Sequence, residues 1–195
     1  WGSFLLTIYP LNCMIYGYFM WTGHMKLTRV FGLIGIPLAL SVHGYTGFIL
    51  AMSKARALWN TALMPTLFLI SAMVSGIGMM MIVVYIRDRF FVKEHEVDKN
   101  LLFDLGKMLI IAIVFDLFLI FCDVAVLLTA DSEAREAALL ILTLDFSPLF
   151  LGVELFLGSL VPLLLLIAPP TRNKRWVAVL AGVLVMIGIM AMRII

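Results

Sequence analysis

Six side chains in this sequence could do chemistry from inside long apolar runs: His43, Tyr45, Thr46, Asp116, Asp123 and Glu154. An imidazole and three carboxyl groups can take up and release protons. A phenol and a hydroxyl can donate hydrogen bonds to carbonyl oxygens. Each costs a few kcal/mol to bury without a partner. Their presence therefore requires either hydrogen bonds between helices or a bound polar ligand or proton, and both readings stand for all six. Ionisable groups at membrane depth default to functional hypotheses. Asp116 and Asp123 are seven residues apart, which puts them on one helix face two turns from each other. His43 and Tyr45 are two apart and diverge by about 160° on a helix, so they do not face one pocket. Asp104 and Lys107, three apart, are expected to form a structural ion pair.

Other chemistries fit poorly. A membrane haem needs two axial histidines on facing helices. Only His43 lies deep in an apolar run, while His24 and His95 fall in or beside loops. Cys13 and Cys122 lack a CxxC partner and read as small buried hydrophobes. The 13 methionines are scattered and read as packing. There is no Walker sequence and no zinc spacing. No haem or metal is therefore expected in this protein segment.

The elements that position these residues follow from the solvent. Of 195 residues, 64% are hydrophobic and 13% charged, with a mean hydropathy of +1.12. Soluble domains are near half apolar and a quarter charged, so the surroundings must be lipid. Apolar runs long enough to cross a bilayer core as helices predict six spans: about 3–22, 29–53, 63–86, 101–129, 146–168 and 175–195. The class is an all-α membrane protein, a single transmembrane domain over 1–195. Pro10 is an expected kink, and Pro65 opens the third span where proline is tolerated. Ser147-Pro148 has the form of an N-cap followed by proline. Glycines 32, 35, 44 and 47 and the small face of Ser71, Ser75, Gly76 and Gly78 let helices approach closely. Pro37 frees a backbone carbonyl in the second span. Residues 131–143, polar then apolar, predict a short interfacial amphipathic helix.

Loop charge orients the chain. Nine basic residues (Lys26, Arg29, Arg87, Arg89, Lys93, Lys99, Arg172, Lys174, Arg175) fall on one side and three (Lys54, Arg56, Arg135) on the other. The richer side is expected in the cytoplasm, so loops 23–30, 87–100 and 169–176 are cytoplasmic. The 87–100 segment reads as a solvated connector. The 53–60 turn then faces outward. The net charge of +2 gives no sign of a nucleic-acid partner. The chain opens on Trp1 with no signal peptide and is expected to be a segment of a longer protein.

Four landmarks in order carry a resemblance. Trp1-Gly2-Ser3-Phe4-Leu5-Leu6-Thr7 is similar to a WGSWLLT-type helix opening. Tyr45-Thr46-Gly47 with Ala55-Arg56-Ala57-Leu58-Trp59-Asn60 is similar to a YTG…RPLWN segment, with Ala57 where proline is common. Pro65 to Gly76 resembles an LPxLFLxSAxxSG helix, and Glu154-Leu155-Phe156-Leu157-Gly158 with Val161-Pro162 resembles a glycine–proline helix. Together they resemble the NrfD / polysulfide reductase membrane-subunit family. The resemblance implies helices three to eight of an eight-helix core built as two four-helix bundles. It also implies a haem-free, quinone-interacting subunit in the cytoplasmic membrane of a prokaryote, not catalytic alone.

It further implies that Tyr45 contacts a quinone, with menaquinol expected and Thr46 and Gly47 beside it. His43 is not part of the motif; its nomination as a quinone or proton contact comes from its place in the span. Electrons are expected to pass to an iron–sulfur partner subunit docked at the outer face near Arg56, Trp59 and Asn60. Protons would move through a route drawn from His43, Asp116, Asp123 and Glu154. Two alternatives remain open: a proton- or ion-translocating subunit without direct quinone chemistry, and a purely structural membrane anchor.

Overall fold

The computed structural model describes residues 2–53, 58–90, 99–143, 146–168 and 175–194. Every regular element among them is helical: α1 (Gly2–Trp21), α2 (Met25–Ala51), α3 (Met64–Phe90), α4 (Lys99–Thr129), the short α5 (Ser132–Thr143), α6 (Pro148–Ile167) and α7 (Arg175–Ile194). Helices are what lipid demands, since each backbone group must be satisfied within its own segment. Five of them, α2, α3, α4, α6 and α7, are long and apolar enough to cross a membrane. The 20-residue α1 has spanning length but carries Tyr9, Pro10, Asn12 and Tyr16 among its apolar residues.

The observed bounds follow the apolar runs, with three differences. First, α2 begins at Met25 rather than 29, so only the tight turn at residues 22–24 joins it to α1. Gly23 sits there at φ +76°, a conformation that favours glycine. Second, α3 continues to Phe90 and α4 starts at Lys99, which shortens the expected connector. The core of that connector, with His95, and residues 169–174 lie outside the described residues. Third, Ser147 holds the N-cap position before Pro148, but its backbone is helical and its hydroxyl makes no capping bond.

Two compact units make up the protein, Trp1–Leu69 and Ile70–Ile195. In the first, α1 and α2 form an antiparallel hairpin. Asn12, buried in mid-helix, donates from Nδ2 to the Phe31 carbonyl at 3.2 Å, which satisfies a polar group facing hydrocarbon. A Cβ at Gly35 would lie 3.1 Å from that Asn12 amide. Phe19 stacks on Phe31, with ring centroids 5.5 Å apart.

The second unit is more enclosed: 44% of the α7 span is buried, against 11% for α2. Val74 and Met81 of α3, Leu109 and Ile113 of α4, Leu166 of α6 and Val185 of α7 form its core. Two glycine crossings set the helix spacing. A Cβ on Gly158 of α6 would lie 2.5 Å from the Gly188 Cα of α7, and one on Gly182 of α7 would lie 2.9 Å from the Gly78 carbonyl of α3. Only backbone fits there, as expected where helices associate by close packing.

Outward-facing positions are apolar, among them Phe4, Met14, Trp21, Phe118 and Phe121. Cys13 is one of these: it is exposed, not buried as expected, and Cys122 is half-buried. In a lipid solvent an exposed apolar position carries no penalty, so a small hydrophobe need not be inside. Gly158→Val forces α6 and α7 apart and is expected to cost at least about 1–3 kcal/mol. Thermal unfolding in detergent checks this against Gly152→Ala, where an added Cβ meets nothing within 4 Å.

Candidate functional site

The polar residues named from the sequence fall into two groups, one in each unit. The first surrounds the C-terminal end of α2. Tyr45 lies six residues before Ala51, about 9 Å along the helix axis from its end. It is half-buried. Its ring packs on Gly2, at the start of α1, so closely that a Cβ there would fall 2.6 Å from the Tyr45 Oη. The Gly2 of the opening motif thus makes room for the tyrosine of the second motif. Gly47 is buried against the start of α3, where its Cβ would lie 2.6 Å from the Pro65 Cα. Its small size serves this close approach. The start of α1, the end of α2 and the start of α3 therefore meet at one end of the first unit.

Thr46 donates from Oγ1 to the His43 carbonyl at 2.8 Å. The His43 Nδ1 lies 2.9 Å from the Ala39 carbonyl. A carbonyl only accepts, so that nitrogen carries the hydrogen, and Nε2 is the position open to further proton exchange. Trp59 and Asn60 occupy the turn leading into α3. The Thr61 amide donates to the Trp59 carbonyl there at 2.9 Å, and Thr61 is buried. Arg56 lies outside the described residues.

The second group lies within the second unit. Asp116, midway along α4, is 5% exposed, and Glu154 of α6 is 6% exposed. Both line one cavity of about 10 Å³, together with Val74 of α3, Ser159 of α6, and Val185 and Gly188 of α7. The Asp116 Oδ1 is buried with no hydrogen-bond partner among the described residues. Glu154 sits inside Pro148–Leu160, a stretch wound as a π-helix. Such winding is rare and frequent at functional sites. The Ser159 hydroxyl donates to the backbone carbonyl of Glu154, five residues earlier, at 3.2 Å.

Of the four residues named for a proton route, the structure brings together Asp116 and Glu154. Asp123 lies two turns further along α4, half-buried, and does not line the cavity. His43 belongs to the other unit. The Asp104–Lys107 pair forms as expected at 3.1 Å, on the exposed start of α4, with Lys107 also 4.4 Å from the centre of the Phe103 ring. Sequence reasoning missed Asn12, Ser159 and the contact glycines of α7. An asparagine within an apolar run was a readable signal for the first. Ala178, Ala181, Gly182, Val185 and Gly188, spaced by threes and fours, were one for the last.

The profile of the family "Polysulphide reductase, NrfD" matches residues 1–195. The chain belongs to the NrfD family. It is 29% identical over 174 residues to a selenate reductase subunit of Mesobacillus selenatarsenatis, an alignment that takes in 86% of this chain and 38% of that protein. It is 29% identical over 172 residues to a polysulfide reductase component of Wolinella succinogenes, with 86% and 52% covered. It is 28% identical over 188 residues to the Hdr-like menaquinol oxidoreductase integral membrane subunit of Archaeoglobus fulgidus, with 94% and 46% covered. The chain thus spans about two-fifths to half the length of these relatives. It is an integral membrane protein with several spans. Among the described residues of this NrfD protein, no three His, Cys, Asp or Glu side chains group together as metal ligands do.

Proposed function

We propose that this NrfD protein is part of the membrane subunit of a reductase complex, binds a quinol or quinone at the α2 end of its first unit, and exchanges electrons with an iron–sulfur partner subunit. The observation that carries this reading is Tyr45: a phenol near the C-terminal end of the apolar helix α2, with its ring packed on Gly2 at the start of α1. A quinone needs hydrogen-bond donors for its carbonyl oxygens and an apolar slot for its ring and tail. The Tyr45 hydroxyl meets the first need and the apolar flanks of α1 and α2 the second. Thr46 and Gly47 shape the helix beside it, and His43, which faces away from Tyr45 around the helix, is proposed for proton transfer and not for contact with the ring. A relative that is a menaquinol oxidoreductase membrane subunit supports menaquinol as the substrate.

Oxidation of a quinol releases two electrons and two protons. Iron–sulfur clusters take these electrons one at a time, and because electron transfer slows steeply with distance the partner's cluster must sit close to the ring. The turn holding Trp59 and Asn60, with Arg56, follows α2 directly and is the proposed edge of the docking surface. The loop-charge pattern supports the outer face of a prokaryotic cytoplasmic membrane for this turn.

Tyr45→Phe deletes one hydrogen bond at constant shape. Such a bond is worth about 0.5–1.5 kcal/mol, which corresponds to roughly a two- to tenfold loss of quinol affinity. Quinol-linked turnover of the whole complex measures this, with artificial-donor turnover as the control for assembly. Unchanged quinol kinetics would remove Tyr45 from the site.

A second reading, proton transfer through the membrane, is favoured by the buried Asp116 and Glu154. It adds to the first, because quinol chemistry itself supplies and consumes protons.

A further inference from the structure

The second unit contains a pair of buried acids that the assignment of a quinone to Tyr45 does not call on. Asp116 and Glu154 come from different helices and end at one cavity. Both are more than nine-tenths buried. Among the described residues no Lys, Arg or His lines this cavity; the groups from α3 and α7 are Val74, Val185, Gly188, Ile189 and Met192. Nothing there balances two negative charges. Two like charges on the walls of one small buried cavity repel strongly, because the interior screens them far less than water does. The pair therefore cannot stay doubly ionised. The Asp116 Oδ1 meets no partner among the described residues, which leaves it open to accept from a protonated Glu154 or from a water. The cavity, about 10 Å³, is close to the minimum for a single water.

We infer that Asp116 and Glu154 form a two-carboxylate site that holds one proton between them, bridged by one water in the cavity under Val185 and Gly188. The proton sits on one carboxyl oxygen, and the water donates to the other. Net charge at the site is minus one, not minus two. Ser159, which also lines the cavity, ties the Glu154 turn through its bond to the Glu154 carbonyl. The Gly158–Gly188 crossing holds α7 close against α6, so that residues of both helices line the cavity. A proton is the fitting ligand rather than a sodium ion. Sodium would need several oxygen ligands and more room, and the other lining groups are nearly all apolar. This inference refines the proton-transfer reading and is independent of any quinone at Tyr45, which belongs to the other unit.

Infrared difference spectroscopy of the complex in its membrane, titrated with acid and base, tests the site. The carbonyl stretch of protonated carboxyl groups is followed with and without heavy-carbon labelling of aspartate side chains. Strongly coupled carboxyls lose their protons in two steps that belong to the pair. In the wild type, an aspartate band and a glutamate band are expected to change together, in two steps at least about a hundredfold apart in proton concentration. Asp116→Asn and Glu154→Gln are each expected to leave a single step lying between those two. Two independent steps, each abolished by one substitution without moving the other, would overturn the shared proton. So would steps that shift with sodium concentration at fixed pH. Should either variant fail to assemble, the isotope-labelled wild type decides alone: bands that titrate separately contradict the inference. Quinol turnover does not enter, so a failed Tyr45 assignment leaves the result readable.

Discussion

Hydrocarbon offers a polar group no hydrogen bond, and much of this fold follows from how each polar residue escapes that penalty. The first escape is local. Ser41 donates to the Pro37 carbonyl, His43 to that of Ala39 and Thr46 to that of His43. Each stays within its own helix, so these residues can face lipid or a neighbour without strain. The second escape is across a helix pair, as Asn12 shows at the Phe31 carbonyl. The third is exposure near a helix end, where Asp104 and Lys107 pair. Asp116 and Glu154 take none of these routes. Their side chains lie inside the unit, and Asp116 leaves an oxygen unmatched there among the described residues. A group kept at a cost of this kind is where function is sought.

Glycine is the second organising device, and it works differently in the two units. In α6 and α7, Gly158 on Gly188 brings backbones into contact, so that residues of both helices line the cavity of the two acids. In the first unit, Gly2 admits an aromatic ring and Gly47 admits the Pro65 backbone. Both act on the surroundings of Tyr45, one by making room for the ring and the other by drawing α3 towards the end of α2. A motif that resembles a ligand signature is thus in large part a packing signature.

Much of this was legible in the sequence. Apolar run length located the six long helices to within a few residues, because in lipid a helix ends where its hydrocarbon ends. The polar-to-apolar change at 131–143 located α5 for the same reason. The four ordered motifs reached the family. The helical period put Asp116 and Asp123 on one face, but it could not tell which would be enclosed. That depends on where α6 and α7 cross, and so on Gly158 and Gly188, which are 30 residues apart. The π winding around Glu154 was also hidden, since no residue type marks it the way proline marks a kink. Cys13 misled because the rule that apolar groups go inside assumes water outside.

The central claim is a quinone held beside Tyr45. Photolabelling the membrane complex with an azido-quinone, followed by mapping of the labelled peptides, tests it most directly. Labels are expected on the C-terminal part of α2 and the first turns of α1, and an excess of unlabelled quinol should suppress them. Labels confined to α4, α6 and α7, or labels that quinol does not displace, would contradict it.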